Sequence, residues 1–442
     1  DTYFEGITQL LPGEWARFAP GKPLQRRRWY QVAERVAPRA CECEEAAAAV
    51  RELLVDAARL HMRADVPVGV SLSGGLDSST LLASLDLAGE LSPRLGCVSV
   101  DFGGDLTERP WMEAAARHHG LGTRILPYSP EEFRAHIVPM IWHLEGPIGG
   151  LMNCALASVM AEARREGMVV IQDGTGLDEA LGGYRNHHNL YLGLAIRAGG
   201  PAAERAVSDY CANWGVTPDQ ARQAGLAALE HSVTAIDGTI PVRPELLAPE
   251  FVAAWGAPLA PEPATGDPLR DVLASYLQVQ KIPRNTRMKD RLSMAYSLEL
   301  RLPFLDHRLV EYGLSLPPEL MFLHGRTKSI VREALKGAMD DEVRLAAKRS
   351  IQAPQGAWLM KEPMRSYVRS LIDSESFAAR GMFDPDKCRI AFERFCTGAD
   401  ANSFFVWQWI NVEEWFRVFI DDDPVVRRRP LCAIPQSAST IN

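Results

Sequence analysis

The chain has 442 residues, and its 48 Lys and Arg against 56 Asp and Glu give a net charge of −8. This length is more typical of two domains, or of one large domain with extensions, than of one small module. The acidic balance excludes a global basic field, so we expect no nucleic-acid partner, although a local basic cleft for a phosphate ligand is compatible with it. No apolar run approaches the roughly 18 residues that a membrane helix needs, so we expect no membrane partner.

The eight cysteines are scattered along the chain without a CxxC pair. This usage is typical of reduced thiols rather than of a disulfide framework or a zinc site, and it predicts a cytoplasmic protein. The sequence opens with Asp1 and further charged residues, not with Met or an apolar signal segment. We therefore expect no secretory leader, and the start is typical either of the middle of a longer gene product or of a processed N-terminus.

The first predicted elements are extended. Residues 3–35 form short pieces around the turn Leu11-Pro12-Gly13, a pattern that fits a β-ribbon. Residues 41–63 are rich in Ala and Glu with apolar residues at helical spacing, which predicts an amphipathic helix. A buried strand follows, because apolar residues lie two apart from Val66 to Leu72 with only Gly, Pro and Ser between them.

Strands and helices then alternate along the chain. The predicted helices are 80–85, 111–119 and 155–166, and the predicted strands are 96–102, 123–126 and 168–172. This order predicts an α/β fold with a doubly wound parallel sheet. In such sheets ligands bind beyond the carboxyl ends of the strands, where Ser73 and Asp173 begin loops.

The second half is predicted to be mainly helical. After a Pro-rich loop at 257–268, helices are expected over 269–298 and 308–316, and a helical, aromatic-rich pattern runs from 362 to 419. The polar residues from Asp421 onward predict a loosely held tail.

Residues 73–79 (SGGLDSS), which we call the first loop, lie between a predicted strand and a predicted helix. The glycines let the backbone approach an anion, and the helix start supplies free N–H groups and the positive end of its dipole. There is no GKS or GKT of a Walker P-loop. The pattern predicts a phosphate-binding loop, and the alternative is an ordinary Gly-Gly turn capped by Ser78.

Residues 172–184 (QDGTGLDEALGGY), the second loop, again follow a predicted strand. We expect Asp77 and Asp178 to face each other across the strand ends. Two carboxylates there can hold one Mg²⁺ that keeps its other positions for water and phosphate oxygens. The alternative is that Asp178 and Glu179 only cap a helix.

Four motifs in this order resemble the synthetase domain of the asparagine synthetase B family: residues 73–78 (SGGLDS), 176–184 (GLDEALGGY), 293–306 (SMAYSLELRLPFLD) and 328–335 (KSIVREAL). That family belongs to the N-type ATP pyrophosphatases, which activate a carboxylate as its acyl-adenylate. The opening residues 3–15 (YFEGITQLLPGEW) resemble the segment that closes the family's glutaminase domain. The resemblance covers most of residues 1–420 and implies a Rossmann-like PP-loop fold that uses ATP and Mg²⁺.

The resemblance also implies roles for single residues. Asp77 and Asp178 match the magnesium ligands, and Leu72 and Val100 match positions whose backbone touches the adenine. The full set expected to bind the nucleotide is Leu72, Ser73, Gly74, Gly75, Asp77, Ser78, Val100 and Gly174. Lys328 and Lys348 match two lysines that contact the phosphates, and Lys348 is also expected to steady charge in both adenylation and acyl transfer.

The second loop departs from the family at the position of the base that activates ammonia. Glutamine-dependent members read Ser-Gly-Glu-Gly there, the related β-lactam-forming enzymes carry a Tyr in place of the Glu, and this chain has Thr175. Threonine cannot serve as a general base near neutral pH. Glu145 and Glu179 are candidates to replace it, each against a surface or capping role, and we count Glu179 with Lys328 and Lys348 as catalytic.

A second departure follows the second lysine, where the family's Lys-Gln-Gly-Phe is replaced by residues 348–351 (KRSI). This changes the expected acceptor pocket and argues against assuming aspartate as the substrate. A glutaminase domain of this family needs an N-terminal cysteine as its nucleophile, whereas this sequence begins with Asp1. The amine donor would then be free ammonia, glutamine through a glutaminase domain or subunit upstream, or another amine.

Three parts are expected: a remnant of a glutaminase-type domain at 1–40, the ATP-binding amide-forming domain at 41–420, and a tail at 421–442. The sequence predicts a ligase that joins a carboxylate to an amine and converts ATP to AMP and pyrophosphate. The alternatives are a tailoring amidotransferase or cyclase of natural-product or peptide biosynthesis, and a non-catalytic nucleotide-binding protein. A homodimer is left open.

Overall fold

The computed structural model describes residues 2–92, 95–230, 243–255, 265–347, 353–400 and 402–421. Its strands are β1 Glu14–Arg17, β2 Gln25–Arg28, β3 Val68–Ser71, β4 Gly96–Asp101, β5 Arg124–Pro127, β6 Val170–Gln172 and β7 Glu299–Arg301. The α-helices are α1 Val32–Arg35, α2 Cys43–His61, α3 Leu76–Leu87, α4 Arg109–His118, α5 Pro130–Leu144, α6 Leu151–Arg165, α7 Leu177–Ala180, α8 Arg185–Ala198, α9 Gly200–Trp214, α10 Pro218–Glu230, α11 Pro249–Trp255, α12 Pro268–Ser275, α13 Ile282–Ala295, α14 His307–Ser315, α15 Pro318–Met321, α16 Ser329–Ala334, α17 Asp341–Arg344, α18 Gln355–Leu359, α19 Met364–Ile372, α20 Glu375–Ala379, α21 Pro385–Cys396 and α22 Phe404–Phe419. Short 3₁₀ helices cover Gly104–Leu106, Pro244–Leu246, Pro303–Leu305 and Leu323–Gly325, and a π-helical turn covers Tyr276–Gln280.

Five strands form one parallel sheet in the order β5-β4-β3-β6-β7. The chain runs outward from β3 to β4 and β5, and then returns to place β6 on the other side of β3. The direction of winding therefore reverses between β3 and β6. In open α/β sheets, a crevice for ligands forms at the carboxyl ends of the two strands at such a reversal.

The sheet separates two apolar cores. Val98 and Val100 of β4 contribute to one core, which also contains residues of α5, α6, α13, α19, α21 and α22. Cys97 of the same strand and Leu72 contribute to the other, which contains residues of α2, α3, α12, α14 and α16. Alternate residues of a strand face opposite sides, so one strand serves both cores. The prediction of a doubly wound α/β fold with a helical C-terminal part is confirmed.

The N-terminal residues form the predicted β-ribbon, in which β1 and β2 pair antiparallel with Glu14 opposite Arg28. Aromatic contacts fasten this region to the last helix, because the rings of Tyr3 and Phe4 lie 6.1 and 5.6 Å from that of Trp415. Within the described ranges, no helix is both long and apolar enough to cross a bilayer.

Some predicted boundaries are wrong. The helix expected over 269–298 is interrupted by the π-helical turn, and Pro283 opens α13, where the missing N–H of proline costs no helical hydrogen bond. Directly after this interval comes β7, which was not predicted because its three residues are too few to show a period. Helix α5 was not predicted, although Ser129 and Glu132 form the capping box that marks its start. Residues 257–264 of the predicted loop and the tail beyond Asp421 lie outside the described residues.

The side chain of Met168 lies across Gly69 and Gly96, which are register partners on β3 and β4. A Cβ at Gly96 would come 1.8 Å from the Met168 Cε. We expect Gly96→Ala to lower the free energy of unfolding by about 1–3 kcal/mol, the usual cost of overpacking. The double variant Gly96→Ala/Met168→Ala should lose less than the two single variants together, as measured by urea unfolding. Additive losses would contradict this packing.

Candidate active site

A cavity of about 490 Å³ opens where the first and second loops meet, at the carboxyl ends of β3 and β6. It is also lined by the end of β4 and by side chains of α6 and α13. The sequence-predicted residues in its lining are Leu72, Ser73, Asp77, Ser78, Val100, Gly174, Asp178 and Glu179. The two loops, which are distant in sequence, are therefore brought together around one space.

The first loop is held in a fixed shape by its own hydroxyl groups. The backbone N–H of Ser73 donates to Ser78 Oγ at 3.1 Å, and the two serine hydroxyls lie 3.1 Å apart. Gly74 has a φ of +67°, and a Cβ on it would come 2.9 Å from the backbone nitrogen of Met112 on α4. Gly74 is thus required by conformation and by close packing, and it does not itself line the cavity. Gly75 immediately precedes the first turn of α3.

The two loops touch through Gly174. A Cβ on this residue would lie 2.8 Å from the carbonyl carbon of Asp77 and 2.9 Å from its oxygen. Only a residue without a side chain lets the backbones approach so closely. Gly183 has a similar part in the second loop, because a Cβ there would lie 1.6 Å from Asp178 Oδ1. Gly183 was not among the residues predicted from the sequence, although its place in the Gly-Gly-Tyr motif was a signal.

Lys328 joins the two loops electrostatically. Its ammonium binds Asp77 and lies 2.8 Å from Asp178 Oδ1, and the lysine side chain is only 5% exposed. Burial by itself would lower the pKa of Lys328, but the charges of Asp178 and Asp77 outweigh burial and raise the pKa above its usual value. Because a single ammonium reaches both carboxylates, a single cation fits between them, and this all-oxygen pair is suited to Mg²⁺.

Glu179 lies beside this centre and is also buried. Burial and the neighbouring charge of Asp178 raise its pKa, although the hydroxyl of Tyr184 donates to Glu179 Oε1 at 2.6 Å and opposes that rise. The ammonium of Lys281 lies 3.5 Å from the centre of the Tyr184 ring. Glu179 is therefore a carboxyl group in the cavity wall that can exchange a proton nearer to neutral pH than an ordinary glutamate.

A second ion pair in the cavity was not foreseen. Lys289 Nζ lies 2.8 and 2.9 Å from the two carboxylate oxygens of Asp173, and it donates to Thr175 Oγ1 at 2.6 Å. Burial would raise the pKa of Asp173, but the charge and hydrogen bond of Lys289 and the bonds from Thr175 outweigh it and lower the pKa. Lys281, Asn285 and Lys289 all line the cavity. Their spacing of four in a predicted helix was the signal available in the sequence.

Glu145, the other candidate base from the sequence, does not line the cavity. It ends α5 with a φ of +50°, lies 2.5 Å from Arg291, and has a side chain that is 49% exposed. Its surroundings are those of a surface carboxylate at a helix end.

Comparison with known proteins agrees with this geometry. The sequence pattern of the family described as Asparagine synthase matches residues 49–417. The chain belongs to the asparagine synthase family.

Several curated members of the family, or proteins similar to it, align with most of this chain. It is 28% identical over 395 residues to asparagine synthetase [glutamine-hydrolyzing] 1 of Bacillus subtilis, covering 83% of this chain and 59% of that protein. It is 23% identical over 447 residues to amidase chyE of Penicillium rubens, covering 90% and 66%. It is 26% identical over 409 residues to a putative asparagine synthetase [glutamine-hydrolyzing] of Mycobacterium bovis, covering 85% and 58%. The chain thus spans about six tenths of the length of these relatives.

Lys348, the second lysine expected from the family resemblance, lies outside the described residues, as do Arg349, Ser350 and Ile351. The chain leading to it is fixed as far as Ala346. Buried Arg332, one turn beyond Lys328 on α16, donates to the carbonyl of Arg344 and, at 3.0 Å, to that of Ala346. The role of Lys348 stays a prediction.

The contact between Gly174 and Asp77 gives a test of the cavity in this family member. We expect Gly174→Ala to weaken ATP binding at least tenfold, because an added Cβ must push the second loop away from the first. Isothermal titration calorimetry with ATP and Mg²⁺ measures the change. Gly122→Ala is the matched control, since a Cβ at Gly122 meets no atom within 4 Å. Equal affinity of the two variants would contradict the contact.

Proposed function

We propose that this chain is an ATP-dependent ligase that activates a carboxylate as its acyl-adenylate and transfers the acyl group to an amine. The observation that carries the proposal is the meeting of the two loops around Asp77, Asp178 and the ammonium of Lys328. Family membership supports the use of ATP and amide formation. AMP and pyrophosphate as the products, and the identity of the acid, belong to the proposal.

In the first step the carboxylate attacks the α-phosphate of ATP, and pyrophosphate leaves towards the first loop. Ser73, Gly74, Gly75 and Ser78 would bind the phosphates through N–H and hydroxyl groups at the start of α3. The backbone at Leu72, Val100 and Gly174 would contact the nucleoside. Asp77 and Asp178 would hold Mg²⁺, which supplies charge neutralisation to the phosphates when bound.

In the second step an amine attacks the acyl carbon and displaces AMP. Lys328 and Lys348 would contact the phosphates, and Lys348 would also stabilise the developing negative charge in both steps. Glu179 would accept the proton that the nitrogen loses, because its raised pKa suits it to this transfer near neutral pH. Thr175 has no such capacity, and Asp173 is already bound by Lys289.

The amine source is part of the proposal, because the chain spans only part of its relatives. We propose that residues 1–40 form the end of a glutaminase-type domain, that residues 41–420 form the amide-forming domain, and that residues 421–442 are a tail. The B. subtilis and mycobacterial relatives are named as glutamine-hydrolyzing enzymes. Glutamine, free ammonia and another amine are therefore the candidate donors.

A tailoring amidotransferase or cyclase on the same fold is the second candidate. Two fungal relatives are named amidases, and the Asp173, Thr175 and Lys289 cluster differs from a site built around a glutamate base. A non-catalytic nucleotide-binding protein is disfavoured, because a binding module gains nothing from two carboxylates and a buried lysine around one pyrophosphate.

Exchange of labelled pyrophosphate into ATP tests the first step with a panel of carboxylic acids, aspartate first. At least one acid is expected to support exchange. Lys328→Met should reduce the exchange rate about 100-fold or more, the scale of losing one well-placed charge donor. Exposed Lys336, just past the same helix, gives the control Lys336→Met. No exchange with any acid, or full exchange by Lys328→Met, would refute the assignment.

Tyr184→Phe tests the role of Glu179. The Tyr184 hydroxyl lowers the pKa of Glu179, so its removal should raise that pKa further. A base must be ionised to act, so the acidic limb of the kcat/KM profile for amide formation should move to higher pH. The pH profile of pyrophosphate exchange should stay in place. Tyr191→Phe, outside the cavity lining, is the control. An unmoved limb would show that another group takes the proton.

A further inference from the structure

Both oxygens of the Asp173 carboxylate accept hydrogen bonds from neighbouring residues. Oδ1 accepts hydrogen bonds from Lys289 Nζ, from the Thr175 N–H at 2.9 Å and from the Thr175 hydroxyl, and Oδ2 accepts from Lys289 Nζ. The side chains of Asp173 and Lys289 are each 12% exposed. Asp173 is therefore the counter-ion of Lys289 and has little capacity to bind a second cation.

The side chains that α6 and α13 contribute to the described cavity lining include no acidic group. Asn285 and Lys289 lie on one face of α13 because they are four residues apart, Lys281 is the residue just before this helix, and all three line the cavity. Across the cavity, α6 contributes Met152, Asn153 and Leu156, none of which is charged. The charge of Lys281 acts on Glu179 of the second loop and opposes the rise in pKa that burial causes there, whereas Lys289 is paired with Asp173.

Five other carboxylate side chains line the cavity, namely Asp77, Asp101, Glu108, Asp178 and Glu179. Asp77 and Asp178 bind Lys328, and Glu179 accepts from Tyr184. Asp101, the last residue of β4, accepts from the Thr107 hydroxyl and from the backbone N–H of Glu108. An ammonium ion that approaches Thr175 would come close to the like charge of Lys289, and the carboxylate nearest to it, Asp173, is already bound to that lysine.

Classes of amine differ in their charge near neutral pH. Ammonia and aliphatic amines are almost entirely protonated near neutral pH, as lysine is. They must lose a proton before the nitrogen lone pair can attack. Aromatic amines and hydroxylamines are mostly uncharged at the same pH and meet no repulsion from Lys289.

We propose that Lys289, held against Thr175 by Asp173, makes the enzyme select acyl acceptors that arrive uncharged over those that arrive as ammonium ions. This inference rests on the proposed function and names the class of its acceptor. The nitrogen lone pair forms the bond to the acyl carbon, the bond from that carbon to the AMP oxygen breaks, and AMP leaves with the electron pair. The proton released by the nitrogen passes to Glu179.

The experiment compares acceptors of matched size with an acid that supports pyrophosphate exchange. Methoxyamine is paired with ethylamine, and hydroxylamine with ammonia, for the wild-type protein, Lys289→Met and the control Lys336→Met. Lys289→Met should lower the ratio of kcat/KM between uncharged and charged acceptor about tenfold or more, mainly through a lower KM for the charged amine. Removing Lys289 also frees Asp173 to bind the ammonium. Lys336→Met should keep the wild-type ratio.

A purely structural role for the ion pair predicts a different result. In that case Lys289→Met would lose stability or ATP affinity while the acceptor ratio stays constant, which overturns the inference and leaves the proposed function intact. Asp173→Asn/Lys289→Gln keeps hydrogen bonding without either charge and should show the same direction of change if Lys289→Met does not fold. Absence of exchange by the wild-type protein with every acid would overturn both proposals.

Discussion

The ammonium of Lys328 lies between Asp77 of the first loop and Asp178 of the second, and the geometry of the cavity depends on this contact. Removing one partner of a buried ion pair typically costs about 3–5 kcal/mol, because the remaining charge stays in a poorly solvated place. Here two carboxylates share one lysine, so the loss of Lys328 would leave like charges facing each other. Lys328 thus holds the two carboxylates close to each other, at a separation that a divalent cation could also bridge.

Shape and charge act together at this point. Gly174 and Gly183 let backbone and carboxylate groups approach closer than a side chain would allow, and the lysine then balances the charge that this approach concentrates. The parallel sheet provides the frame, since both loops begin at strand ends on either side of the reversal in winding. A glycine at one of these positions is therefore an electrostatic requirement as much as a conformational one.

The features that could be predicted from the sequence are those that depend on a local residue pattern, namely the parallel sheet and the two loops. The alternation of buried strands and helices gave the sheet, and glycines after strands located both loops, including Asp77, Asp178 and Glu179. The sequence could not predict contacts made by residues far apart in the chain. Lys289 is 116 residues from Asp173, and only the tertiary fold, in which α13 packs against α5, α6 and β7, brings them together. The π-helical turn before α13 was also missed, because its residues keep helical composition while their hydrogen bonds change.

The ion pair between Asp173 and Lys289 offers a reason for the presence of Asp173 and Thr175 in the second loop. A buried ion pair contributes little net stability, since desolvation of both charges offsets most of their attraction, and apolar residues of similar size often do as well. A pair of this kind in a cavity wall is then better explained by its effect on what enters the cavity. Thr175 fits the same reading, because its hydroxyl bridges the two charges without adding one of its own. A glutamate in its place would compete with Asp173 for the ammonium and restore an anion at the wall. Thr175 and Lys289 therefore act together: the threonine adds no charge, and this leaves Asp173 as the carboxylate that binds the lysine. Because the two residues are far apart in the sequence, neither role can be inferred from one position alone.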